Sequence, residues 1–214
     1  MHVVITGAGR GIGKALSARY RTAGHRVTGT ARSGGEAVTL DVSRPEEFRA
    51  LDKALSGDAV DLLICNAGVF PDKGQKIESG FSPTTWAEAL TTNVTGVFMT
   101  VQTCLPALMR AEGARIAIIS SRLGSQELAG GGSYAYRASK AAALNLGRNL
   151  AIDLAPRGIA VGISHPGWVR TDMGGQNGDI SVDESADGLV LEFGRLNLAN
   201  SGCFRSYDGR DLPF

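Results

Sequence analysis

Thr6-Gly7-Ala8-Gly9-Arg10-Gly11-Ile12-Gly13 is the stretch on which the reading of this chain turns. An apolar, β-branched run from Val3 to Thr6 precedes it and a helical pattern from about Gly11 to Ala23 follows, so it joins a strand to a helix. Gly7 permits a tight turn, Gly11 lets backbone approach a pyrophosphate, and Gly13 allows close packing of helix on strand. The helix N-terminus then aims unpaired N–H groups and the positive end of a dipole at an anion. Gly7, Gly9, Arg10, Gly11, Ile12 and Gly13 are therefore candidate contacts to a dinucleotide. The spacing is T-G-x-x-x-G-x-G, with Ile12 where G-x-G-x-x-G would need glycine. A structural turn that binds nothing is the alternative.

Working outward, short apolar runs alternate with longer helical patterns, the signature of βαβ units and a parallel sheet. Further strands are expected at Arg26–Thr30, Ala37–Leu40, Val60–Cys65, Arg115–Ser120, Ile159–Ser164 and Cys203–Ser206. Gly24 sits where a left-handed residue would end the first helix. Ser43-x-x-Glu46 reads as a capping box for a helix to about Ser56. Residues 70–82 read as a polar surface loop, and Ser82-Pro83 as the start of a helix that runs, with one break, to about Arg110. Helices from Ser133 to Ala155 and from Val182 to Leu196 follow. The expectation is α/β: one doubly wound Rossmann-type domain over residues 1–214, a seven-stranded parallel sheet with helices on both faces.

Composition agrees. In 214 residues the apolar fraction is 43%, enough for a full core. Lys plus Arg (22) against Asp plus Glu (21) leaves +1, which offers no electrostatic footprint for nucleic acid or for a membrane surface. No apolar run is long enough to span a bilayer, and Met1-His2 leads straight into strand-like residues, so a cytoplasmic protein is expected. Three scattered cysteines, Cys65, Cys104 and Cys203, form no metal-ligand pattern and are expected to be buried, reduced thiols. No metal is expected.

In a dinucleotide fold an acidic residue usually ends the second strand and binds the ribose 2′-hydroxyl. Here the stretch is Thr30-Ala31-Arg32-Ser33, without a carboxylate. Arg32 and Arg10 can flank a 2′-phosphate instead, which favours NADP(H) over NAD(H); the alternative is that they are solvated surface charges. Asp41, with Val42 beside it, is placed to meet the adenine, or else helps to cap the next helix.

Tyr136 and Lys140 lie four apart on one helix face. A phenol has an unperturbed pKa near 10, and an ammonium about 4 Å away in a partly buried site stabilises the phenolate by about 4 kcal/mol, so the pair can serve as a general acid/base. Tyr134 has only Ala138 at that offset.

Taken with Asn66-Ala67-Gly68, Asn93-Val94-x-Gly96, Ser120-Ser121-x-x-Gly124 and Pro166-Gly167-x-Val169-x-Thr171, these motifs occur in an order that resembles the short-chain dehydrogenase/reductase family over essentially the whole chain. Tyr136-Arg137-Ala138-Ser139-Lys140, His165-Pro166-Gly167-Trp168-Val169 and Tyr207-Asp208-Gly209 look like its C-factor/sniffer-type carbonyl reductase subgroup. The resemblance implies that Tyr136 donates a proton to a carbonyl oxygen, that Ser121 hydrogen-bonds that oxygen, and that Lys140 lowers the phenol's pKa and holds the nicotinamide ribose. It implies that Asn93 anchors a proton-relaying water; a polar residue bonded to neighbouring backbone is the alternative. It also places Asn66, Ala67, Gly68, Pro166, Gly167, Val169 and Thr171 along the cofactor.

The expected function is NADPH-dependent reduction of a small ketone or aldehyde, reversible to alcohol oxidation. Non-catalytic dinucleotide sensing or signalling, and an enoyl reductase or epimerase-like chemistry, are the alternatives. Two features depart from the family: the 15-residue step from Ser121 to Tyr136, and the short segment Asp172 to Ser181 where a substrate lid is usual. Val97 to Leu108 and Leu144 to Leu154 are apolar on more than one face, pointing to a homodimer or homotetramer; simple core packing is the alternative.

Overall fold

The computed structural model describes residues 1–33 and 38–214. Strands β1 (His2–Ile5), β2 (Arg26–Ala31), β3 (Val38–Thr39), β4 (Leu62–Cys65), β5 (Arg115–Ile119), β6 (Ala160–His165) and β7 (Phe204–Ser206) form one sheet in the order β3-β2-β1-β4-β5-β6-β7. Every pairing is parallel, with Val3 beside Val27 on one side and Leu62 on the other. The helices are α1 (Gly11–Thr22), α2 (Phe48–Ala54), α3 (Pro83–Leu90), α4 (Gly96–Leu108), α5 (Tyr134–Leu154) and α6 (Val182–Arg195).

The strands read as continuous apolar runs because both sheet faces are covered. Val4, Leu63, Cys65, Ile116 and Ile118 point to the layer of α2, α4 and α5, where Leu51, Val101 and Ala151 meet them. Their neighbours Val3, Ile5, Leu62, Ile64 and Ile119 point the other way, onto Leu16 and Tyr20 of α1 and Leu189 and Phe193 of α6. Chain order runs outward in opposite directions from β1 and β4, so the loops leaving their carboxyl ends diverge and open a crevice there.

Several expectations need correction. Of the third strand only Val38–Thr39 is formed, and Ala37 lies outside the described residues. The Ser43/Glu46 capping box is absent: the Ser43 hydroxyl donates to Asp41 Oδ1 (2.7 Å), and Glu47, not Glu46, reaches back to accept from the Asp41 amide (2.6 Å). The one expected break in the helix toward Arg110 is present, as a π-helical turn, Thr91–Thr95, between α3 and α4. The segment 70–82 is not wholly on the surface, because Asp72 is completely buried. All three cysteines are free, as expected, and Cys65 and Cys104 are buried, with desolvation raising the Cys104 thiol to about 12; only Cys203 departs, being partly exposed.

Candidate active site

The glycine turn after β1 is built by steric necessity. Gly7 and Gly11 have φ of 68° and 53°, a region that costs other residues steric strain. A Cβ on Gly13 would lie 2.3 Å from the Gly7 carbonyl oxygen. The Asn66 amide ties the turn down by donating to the carbonyls of Thr6 (2.9 Å) and Gly7 (3.2 Å), and Thr6 Oγ1 accepts from the amides of Asn66 and Ala67. Asn66 thus shapes the turn with its side chain. Ile12 sends its side chain into the α1 face of the core. No side chain caps α1 and no acidic residue occupies its first turn, so its N-terminal N–H groups face the crevice open to an anion.

Across the crevice, β5 and α5 bring three expected residues together. Tyr136, Lys140 and Ser121 are all buried; the Ser121 hydroxyl accepts from the Leu123 amide (3.2 Å) and lies close enough to the Tyr136 phenol to lower its pKa against the rise from burial. The adjacent Ser120 faces away and donates to the Lys140 carbonyl at 3.0 Å, which separates the two serines cleanly. A Cβ on Gly124 would stand 2.6 Å from the Lys140 carbonyl carbon, so only glycine lets the loop after Ser121 lie against the backbone of α5. Lys140 Nζ donates to the Ile119 carbonyl (3.0 Å) and stands 5.7 Å from the centre of the Tyr136 ring. Burial dominates both groups: it pushes the phenol up to about 12 and the amine down to about 8. The expected depression of the phenol by Lys140 is not seen: burial raises the phenol, Ser121 lowers it and Asp72 raises it, while the Lys140 ammonium bonds a carbonyl rather than the phenol oxygen.

Asn93 sits in the π-helical turn, almost fully buried. Its amide donates to the Val69 carbonyl (3.0 Å) and to Ser139 Oγ (2.9 Å), and its Oδ1 accepts from the Val69 amide (2.9 Å). It clamps the chain just past Gly68, where a Cβ would lie 3.1 Å from Asn93 Oδ1 and 3.5 Å from Lys140 Nζ. The π turn supplies the irregularity that turns this side chain inward.

The remaining expected residues line the rim. Gly167 has φ 87°, the Pro166 carbonyl accepts from Ser185 Oγ (2.6 Å), and Val169 is buried and bridged to Ile180. The Thr171 hydroxyl accepts from the Gly174 amide (3.0 Å), and a Cβ on Gly11 would be 3.7 Å from its Cγ2, so this segment overhangs the glycine turn. Arg10 pairs with Asp172 there at 2.8 Å, both side chains being largely exposed. Arg32 is exposed at the end of β2. Val42 is buried, with its carbonyl against Gly96 of α4. Asp41 Oδ1 accepts from the amide and hydroxyl of Ser43; partial burial raises this carboxyl, but those bonds together with Arg32 and Arg44 hold it below its usual value. Its observed work is in the loop before α2.

Sequence reading missed two residues beside Tyr136. The Phe70 ring stacks on that of Tyr136 with centroids 4.0 Å apart and planes at 17°. Asp72 Oδ2 accepts from the backbone amides of Ala135 (2.8 Å) and Tyr136 (3.3 Å). The only sequence signal for either was an aromatic and a carboxylate in an otherwise polar loop. Among the described residues no helix is long and apolar enough to cross a membrane, and no cluster of His, Cys, Asp or Glu could hold a metal.

Comparison with known proteins agrees with this geometry. The profile of the short chain dehydrogenase family matches residues 1–180. The chain is 37% identical to "C-signal" of Myxococcus xanthus over 169 residues, 78% of this chain and all of that one. It superimposes on the carbonyl reductase Sniffer of D. melanogaster with a TM-score of 0.93 at 28% identity, covering 100% of this chain and 99% of that one. For the NADPH-bound carbonyl reductase from chicken fatty liver the TM-score is 0.89 at 29% identity, with 100% and 98% covered.

Proposed function

Because the chain belongs to the short-chain dehydrogenase/reductase family of oxidoreductases, we propose that it reduces the carbonyl of a small ketone or aldehyde with NADPH, reversibly. The observation that carries this reading is the burial of Ser121, Tyr136 and Lys140 together, with Lys140 Nζ 5.7 Å from the Tyr136 ring, in a chain whose first helix begins uncapped at a glycine-lined turn.

The residues fit the cofactor. Positions 7, 11 and 13 form a cradle that a Cβ would strain or fill, and α1 offers its free N–H groups to a pyrophosphate. Gly9, Ile12, Ala67 and Gly68 would border it through backbone, Asn66 through the turn it holds, and Asp41 and Val42 at the adenine end. Arg10 and Arg32, with no carboxylate ending β2, favour a 2′-phosphate and hence NADP(H). Pro166, Gly167, Val169 and Thr171 would lie along the nicotinamide. Bound reduced nicotinamide supplies the hydride.

The chain's own groups do the rest. Ser121 and Tyr136 direct two hydroxyls at the carbonyl oxygen. A phenol held near 12 stays protonated across the physiological range, as a proton donor to a nascent alkoxide must. By microscopic reversibility the same group takes the proton back when the alcohol is oxidised. Lys140, charged below about pH 8, favours negative charge developing on the phenol oxygen during transfer. Asn93 holds the backbone at Val69 and, by this reading, a water that returns a proton through Lys140.

The test is oxidation of NADPH and NADH in parallel across aldehydes, ketones, quinones and keto esters. Wild-type protein should consume NADPH faster, and Tyr136→Phe should lose at least about a hundredfold in kcat. Full turnover by Tyr136→Phe would refute the mechanism. The likeness to a protein named C-signal favours a second reading, a dinucleotide-binding signalling protein without turnover; cofactor binding with no substrate in the whole panel would select it. A cytoplasmic homodimer or homotetramer belongs to the same proposal, since Phe98 of α4 and Ile152 of α5 expose apolar side chains (41% and 71%); a solution mass of a single 22.3 kDa chain would reject the assembly.

A further inference from the structure

The start of α5 is held from outside its own sequence. Ser133, the residue before it, has the polarity of a cap, but its φ of 47° and ψ of 45° are left-handed and its side chain makes no capping bond. The amides that a local cap would satisfy are taken by Asp72, more than sixty residues away, whose Oδ2 accepts from Ala135 and Tyr136. Asp72 is completely buried and its Oδ1 has no hydrogen-bond partner. A buried carboxylate is costly unless fixed dipoles compensate it, and the N-terminus of a 21-residue helix is such a dipole.

The same loop grips this turn at two more points. Phe70 lies flat on the Tyr136 ring, and Phe81 packs edge-on against Tyr134 at 5.1 Å. Phe81 and Ser133 are the two non-glycine residues with positive φ among those described, and both border this turn. Strained backbone persists where surrounding contacts over-determine it. The amide of Tyr136 itself is one of the two that Asp72 holds, so a shift of this cap moves the phenol relative to Ser121.

We propose that Asp72 is a positioning residue for the reaction, fixing the first turn of α5 so that the Tyr136 hydroxyl meets Ser121. The inference rests on the reading of Tyr136 as the proton donor. In the NADPH-dependent assay Asp72→Ala should lower kcat about thirtyfold, as expected of a reacting group displaced by a fraction of an ångström to an ångström, while the carbonyl KM and the NADPH dissociation constant from fluorescence quenching change less than about twofold. Asp72→Asn keeps an oxygen acceptor of the same reach and should restore kcat to within about threefold of wild type. Hydrogen exchange at the Ala135 and Tyr136 amides reads the cap without any substrate, and should quicken in Asp72→Ala but not in Asp72→Asn.

Wild-type kcat in Asp72→Ala, unchanged exchange at those two amides, or equal losses in the Ala and Asn variants would each overturn the proposal. Should Asp72→Ala not fold, Asp72→Glu decides: it keeps the charge but moves the carboxylate by one methylene, and wild-type kcat there overturns the proposal while a loss supports it. Tyr136→Phe run alongside separates the two ideas. If it is inactive while Asp72→Ala is unimpaired, only the positioning role falls; if it is fully active, the proton-donor reading falls with it.

Discussion

Replacing Lys140 with Met should abolish turnover and stabilise the fold. The amine is buried and its pKa falls from 10.5 to about 8 because the charged form loses its hydration. At 1.36 kcal/mol per pH unit, that gap means the folded state carries the ammonium at a cost of about 3 kcal/mol at pH 7. Met fills a similar volume without charge. The Ile119 carbonyl loses the bond from Nζ, worth about 1 kcal/mol, which leaves a net gain of about 2 kcal/mol. For a chain of 214 residues this raises Tm by about 4–8 °C. The sign with pH is fixed. Below pH 8 the amine is charged in both folded and unfolded chains, so the wild-type penalty is fully present. Between about 8 and 10.5 the unfolded chain binds more protons than the folded one, so wild-type stability recovers as pH rises. The assay is thermal unfolding of both proteins at pH 7 and pH 10, taken as the difference in Tm at each pH so that other titrations cancel. A gain at pH 7 that shrinks at pH 10 is expected. A lower Tm for Lys140→Met at pH 7, or a difference independent of pH, would refute the reasoning.

Gly124→Ala should lower both Tm and kcat, because its Cβ would meet α5 backbone at 2.6 to 2.8 Å around Lys140 and Ala141. Overpacking of this kind costs about 1–3 kcal/mol, and paired melting and turnover measurements that both match wild type would sink the idea. Arg10→Ala and Arg32→Ala should each weaken NADPH binding about tenfold, the loss of one charge-assisted contact, and leave NADH binding unchanged; equal weakening of both cofactors in titration would argue against a 2′-phosphate site.

What was legible in the sequence was local. The turn at Gly7 to Gly13 and the Tyr136/Lys140 spacing each sit within one element, and the strands carried apolar runs that only a doubly covered sheet explains. The two serines could be told apart in the structure because Gly124 brings Lys140's carbonyl to Ser120 and leaves Ser121 to the phenol. What was not legible depends on distant partners. Ser43 looked like a helix cap because Glu46 follows at the right interval, yet Asp41 takes both the amide and the hydroxyl of Ser43, and Glu47 reaches back to the Asp41 amide instead. Asp72 looked like a surface carboxylate since nothing in its neighbourhood shows that Ser133 leaves two amides without a local cap. The balance between burial and charge at Tyr136 was likewise invisible, because spacing on a helix says nothing about how much water the phenol loses.

The π turn at Thr91–Thr95 has a consequence for how the chain tolerates insertion and deletion. Such a turn is an ordinary helix carrying one surplus residue, so removing a single threonine from it would splice α3 and α4 into one regular rod. The rod itself would gain in regularity. The two flanking helices would keep their phase, since the π turn spreads one residue more over the same rotation, but the residues within it would be redistributed around the tighter α turn. The Asn93 side chain would then swing off Val69 and Ser139, and the loop after β4 would lose its fastening. This stretch is held irregular by what its one inward amide must touch, so a shortening that improves the helix would undo the site.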